Sequence, residues 1–167
     1  MNTAPAGADT RSSRESSRAP RRTNHHPCSH YMAAAFAFLF DHRSRLLLLS
    51  EQDEGRKYMW DLPGGTLTDY EQPVDGLHRE IMEETGLRIE LLSPLCWLKL
   101  DRHESGHAIL VAFYVAETRD SEVSLSEEHQ NYRRVSIEQF RQEHLEVSAN
   151  KEIVEACFEH YLEHKKC

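Results

Sequence analysis

Residues 60–87 read WDLPGGTLTDYEQPVDGLHREIMEETGL and contain a glycine pair followed by a helical pattern with three clustered glutamates. At roughly 100° per residue, Glu80, Glu83 and Glu84 fall on one face of that helix. Like charges at this spacing repel by roughly a few tenths of a kcal/mol per pair. Carboxylates are also the ligands that hard cations such as Mg²⁺ and Mn²⁺ prefer, and a bound cation offsets the repulsion. The cluster is therefore either a metal site or a solvated acidic face.

The helix in this stretch has recognisable ends. Pro73 suits the first helical position, and Gly86 suits the position just beyond the last turn. Val74, Leu77 and Ile81 recur at helical spacing and form an apolar stripe that is offset from the carboxylates. We expect a helix over 73–85 that packs through this stripe.

The glycine pair lies where a predicted strand ends. Trp60–Pro63 have strand character, and Gly64 and Gly65 follow them directly. Without Cβ atoms, two glycines allow a tight turn and a close approach of the backbone to a ligand. Backbone carbonyls are further oxygen ligands for hard cations. The stretch therefore predicts a strand, a loop and a helix whose polar groups gather around the loop.

The rest of the chain predicts a mixed β-sheet covered by helices, which is an α/β fold. Apolar runs of strand length alternate with turn signals. The predicted strands are Tyr31–Phe40, Arg45–Ser50, Leu87–Ser93, Leu95–Asp101, His107–Glu117 and Tyr132–Ser136. Two further helices are predicted over 137–143 and 149–165, and the second of these has one apolar face that includes Cys157.

Length and composition divide the chain into a tail and one domain. A chain of 167 residues is long enough for one domain with a real core. Residues 1–29 are rich in Ser, Arg, Ala and Pro and cannot bury a core, so we expect a dispensable disordered tail followed by a domain over 30–167. The tail has a net charge of +3 against −8 for the whole chain. A transit peptide or an over-long start before Met32 are alternatives.

Charge and hydropathy limit the partners. A net charge of −8 argues against duplex nucleic acid as the main partner. We expect a small-molecule substrate, and a monomer or homodimer. No apolar run reaches the roughly 18 residues that a membrane span needs. The four cysteines, Cys28, Cys96, Cys157 and Cys167, include no C-x-x-C pair, so neither a disulfide framework nor a structural zinc site is indicated. We expect a soluble protein in a reducing, cytoplasmic compartment.

The spacing of the glycines, Glu71, Arg79 and the three glutamates from Gly65 to Leu87 resembles the signature of the Nudix hydrolase family. This resemblance implies an α/β/α sandwich, with the mixed sheet between helices. It also implies an Mg²⁺-dependent enzyme, with Mn²⁺ as an alternative, that hydrolyses a nucleoside diphosphate linked to another moiety. Two other functions stay open. One is a catalytically silent domain used as a nucleotide sensor or protein-binding module, and the other is an isomerase on the same fold.

The resemblance also implies roles for individual residues. Glu80, Glu83 and Glu84 would bind metal together with the backbone carbonyl of Gly64. Arg79 and Glu71 would pair to hold the helix face and orient its ligands. For Arg79 alone, an ordinary ion pair with Glu83 one helical turn away is the alternative.

A second acidic segment is similar to one that follows the signature in many family members. The run LSEEHQNYRRVSIEQF begins at Leu125, and within it Glu128 is our choice for a further metal ligand, with Glu127 in reserve. Arg134 stands where the family usually has a tryptophan, which puts the contact of that aromatic in doubt. Glu80 is the first choice for the general base and Glu128 the second. A capped turn around Glu127 and Glu128 is the alternative.

The substrate is less well indicated than the reaction. Trp97, Arg102 and His103 lie on and around a predicted hairpin, where they could stack a base and hold phosphates. A core tryptophan with solvated turn residues fits the same pattern equally well. No downstream signature of a particular substrate group follows Leu87.

Overall fold

Seven strands and three helices make up the computed structural model, which describes residues 31–50, 60–93, 95–103, 105–145, 147 and 149–165. The predicted tail over 1–29 lies outside these residues. In chain order the elements are β1 (Tyr31–Asp41), β2 (Leu46–Ser50), β3 (Gly64–Thr66), α1 (Pro73–Thr85), β4 (Glu90–Leu91), β5 (Trp97–Arg102), β6 (Ala108–Thr118), β7 (Asn131–Val135), α2 (Ile137–Glu143) and α3 (Lys151–His164).

The two longest strands, β1 and β6, form the centre of the sheet. They run parallel, in a continuous register from Tyr31 opposite Ala108 to Asp41 opposite Thr118. Their sequences are almost uninterrupted apolar runs because both of their faces are covered. The strand order is β4-β6-β1-β2-β7, with β3 paired to β1 and β5 paired to β6, and every pairing except β1 with β6 is antiparallel. The sheet is therefore mixed, as predicted.

Each face of the sheet carries its own hydrophobic core. Side chains of β1 alternate between the faces, so that Phe38 packs with α2 and α3 whereas Leu39 packs with α1. Leu77 and Ile81 of α1 are fully buried in one core, and Phe158 of α3 is fully buried in the other. Helices on both faces of one mixed sheet make an α/β/α sandwich, which confirms the predicted fold class.

Three local predictions differ from the structure. The predicted strand Trp60–Pro63 is not one, because Trp60 and Asp61 make only isolated bridges and the strand begins at Gly64. Only Glu90–Leu91 of the predicted strand Leu87–Ser93 pair with β6. Val74 is 36% exposed, although it was predicted to lie in the apolar stripe. Helix α1 is buried through Leu77, Ile81 and its last turn, and not through its first two residues.

The helix boundaries follow the sequence more closely. Helix α1 begins at Pro73 and ends at Thr85, with Gly86 just beyond it, and α2 covers the predicted residues 137–143. Helix α3 begins two residues later than predicted, at Lys151. None of the helices within the described ranges is both long and apolar enough to cross a membrane.

Candidate active site

The glycine pair fixes the loop between β3 and α1 against two different neighbours. Gly64 has φ +134°, and a Cβ at this position would collide with the backbone oxygen of Ala35 on β1. A Cβ at Gly65 would lie 2.7 Å from the carboxyl carbon of Glu80. The first glycine therefore allows the strand to pair closely, and the second leaves room for a glutamate of the helix.

Glu84 is the buried acid of this site. Its side chain is only 10% exposed, and its Oε2 accepts a hydrogen bond from the backbone N–H of Gly64 at 2.8 Å. Burial raises the pKa of Glu84 to about 8, and the neighbouring charges of Glu80, Asp61 and Glu128 act in the same direction. A buried carboxylate among other carboxylates is unfavourable unless positive charge is supplied.

Arg79 links three glutamates. Its Nε and Nη2 donate to the two carboxylate oxygens of Glu71, each at 2.8 Å, while Nη1 donates to Glu80 at 2.8 Å and Glu83 at 3.1 Å. The Arg79 side chain and the Thr68 backbone N–H lower the pKa of Glu71 to about 2. Arg79 therefore makes both predicted interactions. It pairs with Glu83 one helical turn away, and it also forms a bidentate pair with Glu71.

The segment after β6 reaches the end of α1 and brings Glu128 to the site. The backbone N–H groups of Ser124 and Ser126 donate to the carbonyls of Thr85 and Glu84, at 2.9 and 3.0 Å. Glu128 is exposed in the turn that follows, close enough for its charge to raise the pKa of Glu84. Glu127 is exposed in the same turn.

Two residues of the site were not among the predictions. Asp61 adds its charge to the surroundings of Glu84, and the Nε2 of His129 lies 3.7 Å from Glu84 Oε1. Asp61 stands three positions before the glycine pair, and His129 follows Glu128 directly. Neither residue lies on a helix, so no periodic pattern marks either one. The only sequence signal for them is their place near the glycine pair and next to Glu128.

The donor chemistry of this site fits a hard divalent cation. Glu80, Glu83, Glu84 and Glu128 supply carboxylate oxygens, and burial of Glu84 makes positive charge favourable there. Within the described part of the chain, no three acidic, histidine or cysteine side chains are already arranged as a metal-binding group. Glu80 and Glu83 each accept a hydrogen bond from Arg79 through one carboxylate oxygen, so the second oxygen of each is the one that could contact a cation.

Arg134, the departure from the family pattern, has a structural contact of its own. Its Nη1 lies 3.8 Å from the buried carboxylate of Asp41, and its Nη2 donates to the carbonyl of Asp120 at 3.4 Å. Asp41 is also held by Arg45 at 2.7 Å. Burial raises the pKa of Asp41. Hydrogen bonds from the Arg45 side chain and from backbone N–H groups outweigh burial and keep that pKa below its ordinary value. Arg134, which stands where a tryptophan was expected, thus forms an ion pair at the edge of the sheet.

The predicted substrate residues do not share one face. Trp97 pairs with Phe113, whose side chain belongs to the core under α2 and α3, whereas Arg102 is five positions further along β5 and lies on the opposite face. His103 is in the following turn, where its Nδ1 lies 2.9 Å from Ser105 Oγ. Within the described residues, no hydrogen bond or ion pair links these three to the glutamates of α1.

A row of aromatic side chains connects the glycine turn with Trp97. Gly64 pairs with Phe36, Phe36 with Phe113, and Phe113 with Trp97, in successive strands of the sheet. At roughly 4.8 Å per strand, Trp97 is about 14 Å from Gly64 along this row. Trp97 is 46% exposed at the far end. The row therefore runs through the core on the α2 and α3 face, from Phe36 opposite Gly64 through the buried Phe113, and reaches solvent at Trp97.

The family model described as NUDIX domain matches residues 30–157, which include every element from β1 to the middle of α3. The chain belongs to the Nudix family. Among curated proteins, an RNA pyrophosphohydrolase of Bartonella tribocorum is 43% identical over 44 residues, which are 26% of this chain and 25% of that protein. The chain thus matches about a quarter of the length of that relative.

Solved Nudix structures share the fold over most of the chain. The MutT protein of Methanosarcina mazei Go1 has a TM-score of 0.62 at 24% identity, covering 82% of this chain and 96% of that one. An ADP-ribose pyrophosphatase of Streptococcus suis has a TM-score of 0.63 at 20% identity, covering 79% and 92%. These likenesses establish the Nudix fold, in which α1 carries the glutamates of the family signature.

Proposed function

We propose that this Nudix protein is a divalent-cation-dependent hydrolase that cleaves the diphosphate linkage of a nucleotide-like small molecule. The observation that carries the proposal is the contact of Glu80 and Glu84 with the Gly64–Gly65 turn, with Glu84 buried and its pKa raised to about 8. A purely structural acidic stripe would be solvated instead. Perturbed titratable groups beside a conformationally special loop are typical of catalytic sites.

The names of the relatives support the proposed substrate class. Names of two similar proteins, RNA pyrophosphohydrolase and ADP-ribose pyrophosphatase, share diphosphate cleavage but differ in the group attached. We infer a nucleoside diphosphate linked to another moiety, such as a nucleoside triphosphate or a nucleotide sugar. The partly exposed Trp97 would take the base, because aromatic faces stack on any base.

We assign the metal ligands to Glu80, Glu83 and Glu84, with the carbonyl of Gly64 and the carboxylate of Glu128. Mg²⁺ is the first choice and Mn²⁺ the second, since both prefer oxygen ligands. A cation bound there would neutralise phosphate oxygens and lower the pKa of an attacking water. Glu71 and Arg79 would act indirectly, by holding the helix face and directing the carboxylates.

The general base is assigned to Glu80, with Glu128 as the second choice. Glu80 is largely buried beside Gly65 and is oriented by Arg79, so its carboxylate has a defined position. Glu128 is exposed in a turn and would depend on that turn for its position. A base must lie within hydrogen-bond reach of the proton it accepts, which favours the better-fixed group.

Arg102 and His103 stay predictions for phosphate binding, because Arg102 lies on the other face of β5 from Trp97. A cytoplasmic location and a monomeric or homodimeric state also stay predictions.

The deciding experiment measures phosphate release, with and without added pyrophosphatase, from nucleoside triphosphates, nucleotide sugars, ADP-ribose, dinucleoside polyphosphates and NADH. The full chain is assayed in several concentrations of Mg²⁺ and in a chelator. Glu83→Gln should lower turnover by about 10²-fold or more while the protein stays folded. Glu152→Gln, at an exposed glutamate of α3, is the matched control and should leave turnover unchanged.

Equal activity in Glu83→Gln and in the wild type would refute the assigned role of this glutamate. Silence across the panel, with Mn²⁺ binding demonstrated, would favour the alternative of a catalytically silent nucleotide sensor. That alternative is the weaker one here, because the set of signature glutamates is complete.

A further inference from the structure

Two cysteines that are 61 positions apart in the sequence meet in the fold. The Sγ atoms of Cys96 and Cys157 are 2.9 Å apart, about 1 Å more than the length of a disulfide bond. Cys96 directly precedes β5, and Cys157 lies in the middle of α3. Both thiols are free in the structure.

The backbone around each cysteine is fixed by independent interactions. The N–H of Cys96 donates to the carbonyl of Phe113 on β6 at 2.8 Å, which anchors the start of β5. Cys157 points from α3 into the core between the helix and the sheet, where it is fully buried, as is its neighbour Phe158. Because strand and helix are both held by the sheet, the meeting of the two sulfurs follows from the packing of α3 on this face.

The two thiols differ in access and in acidity. Cys96 is half-buried, whereas Cys157 has no exposed surface. A hydrogen bond from Cys157 lowers the pKa of the Cys96 thiol, while the contact with Cys96 and burial raise the pKa of Cys157. The thiolate, which is the reactive form of cysteine, therefore forms at Cys96, the less buried of the two.

We propose that Cys96 and Cys157 form a reversible intramolecular disulfide when the protein is oxidised by hydrogen peroxide. The Cys96 thiolate attacks one peroxide oxygen, the O–O bond breaks, and Cys96 becomes a sulfenic acid while the departing hydroxide takes up the proton that the thiol had released and leaves as water. The Cys157 sulfur then attacks the Cys96 sulfur, the S–O bond breaks, and a second water leaves as the S–S bond forms. In sum, two thiols and one hydrogen peroxide give one disulfide and two waters.

The bond would tie α3 to the start of β5. It closes a loop that spans 61 positions of sequence, which restricts the unfolded chain far more than the folded one. The strand it anchors begins with Trp97, the residue proposed to stack the base. Oxidation should therefore raise the thermal midpoint, by roughly 5–15 °C for a chain of this size.

The test uses the full chain with Cys28→Ser and Cys167→Ser, which removes the two cysteines outside the described residues. The protein is treated with hydrogen peroxide, quenched with catalase, alkylated in denaturant and digested without reductant. The expected result is loss of both remaining thiols, a peptide linking Cys96 with Cys157, a raised Tm, and reversal of all three by dithiothreitol. In the chain that keeps all four cysteines, the same linked peptide should dominate.

Three results would overturn the proposal. They are a Cys96 sulfinic acid with Cys157 still reduced, unchanged thiols after peroxide, and cross-links in the four-cysteine chain that join Cys28 or Cys167 instead. Cys96→Ser carries the control, since Cys157 fills the core and its replacement alone could prevent folding. In Cys96→Ser, peroxide should leave the Tm unchanged, and a rise in Tm there would contradict the assigned pair.

Discussion

The guanidinium of Arg79 donates two hydrogen bonds of 2.8 Å to Glu71 and a third of the same length to Glu80. Glu71 lies before α1, whereas Arg79 and Glu80 lie on it. One side chain therefore joins the loop to the helix and also sets the direction of an acidic group at the candidate metal site. A lysine has one charged nitrogen and cannot make this bidentate pair with a carboxylate.

Arg79→Lys should lower turnover or cation affinity by roughly 10- to 100-fold, because the carboxylates lose their orientation while the charge is kept. The measurements are kcat, the concentration of Mg²⁺ at half activity, and Tm. Glu71→Gln should shift the same two kinetic quantities in the same direction. If Arg79→Lys changes only Tm, the pair is structural and not a support for the site.

The two glycines of the turn should respond differently to alanine. Gly64→Ala meets the backbone of β1 and adopts a φ that side chains rarely allow, so we expect poor folding or a much lower Tm. Gly65→Ala meets only the carboxylate of Glu80, 2.7 Å away, so the protein should fold but lose activity. Circular dichroism and turnover separate the two outcomes, and full activity in Gly65→Ala would remove Glu80 from the catalytic assignment.

Glu84 should make the cation-free protein less stable as the pH rises. Its folded-state pKa of about 8 lies above its ordinary value of 4.5, so the folded state holds a proton that the unfolded chain releases. The stability it contributes is complete below pH 4.5 and is lost as the pH rises through 8. With a chelator present, Glu84→Gln should equal wild type near pH 4.5 and exceed it by roughly 3–5 kcal/mol at pH 9.

Urea unfolding at each pH gives the two free energies for that comparison. Parallel curves for wild type and Glu84→Gln from pH 5 to pH 9 would show that Glu84 is ionised without a cation.

The turn after β6 contains a matched pair of acids. Glu128→Gln should weaken cation binding and lower turnover at least about tenfold, because the charge of Glu128 helps to raise the pKa of Glu84. Glu127→Gln, in the same exposed turn, should do neither. Mn²⁺ titration and turnover measure both effects. The opposite ranking of the two variants would move the ligand assignment to Glu127.

Trp97 should matter for substrate binding more than for turnover. If it stacks the base, Trp97→Ala should raise KM roughly tenfold with little change in kcat. Leu98→Ala is the control, because Leu98 is similarly exposed but lies on the other face of β5. An equal rise in KM for both variants would indicate damage to the strand instead of a lost contact.

The sequence predicted what depends on local periodicity and on one fixed motif. Pro73 and Gly86 marked α1 to the residue, and the long apolar run of β1 marked a strand covered on both faces. The same reasoning missed β3, because a three-residue strand containing two glycines has almost no strand propensity. Leu87–Ser93 had an apolar pattern of strand length, yet most of it packs without a ladder of hydrogen bonds.

Proximity between distant residues was the other limit. The places of Asp61 and His129 beside Glu84, and of Cys96 beside Cys157, depend on how strands and helices stack. Trp97 and Arg102 were grouped by their closeness in sequence, but the alternation of side chains along β5 separates them. A motif predicts the kinds of groups in a site, whereas register and packing decide which of them meet.

The parallel pairing of β1 with β6 delays completion of the sheet during synthesis. Residues 31–41 cannot find their partner until residues 108–118 have left the ribosome, which takes roughly 4–15 s at ordinary rates of translation. In that interval the run YMAAAFAFLF is an uncharged, apolar strand without a neighbour on its β6 side. We therefore expect fragments of this protein that end before β6 to accumulate as inclusion bodies.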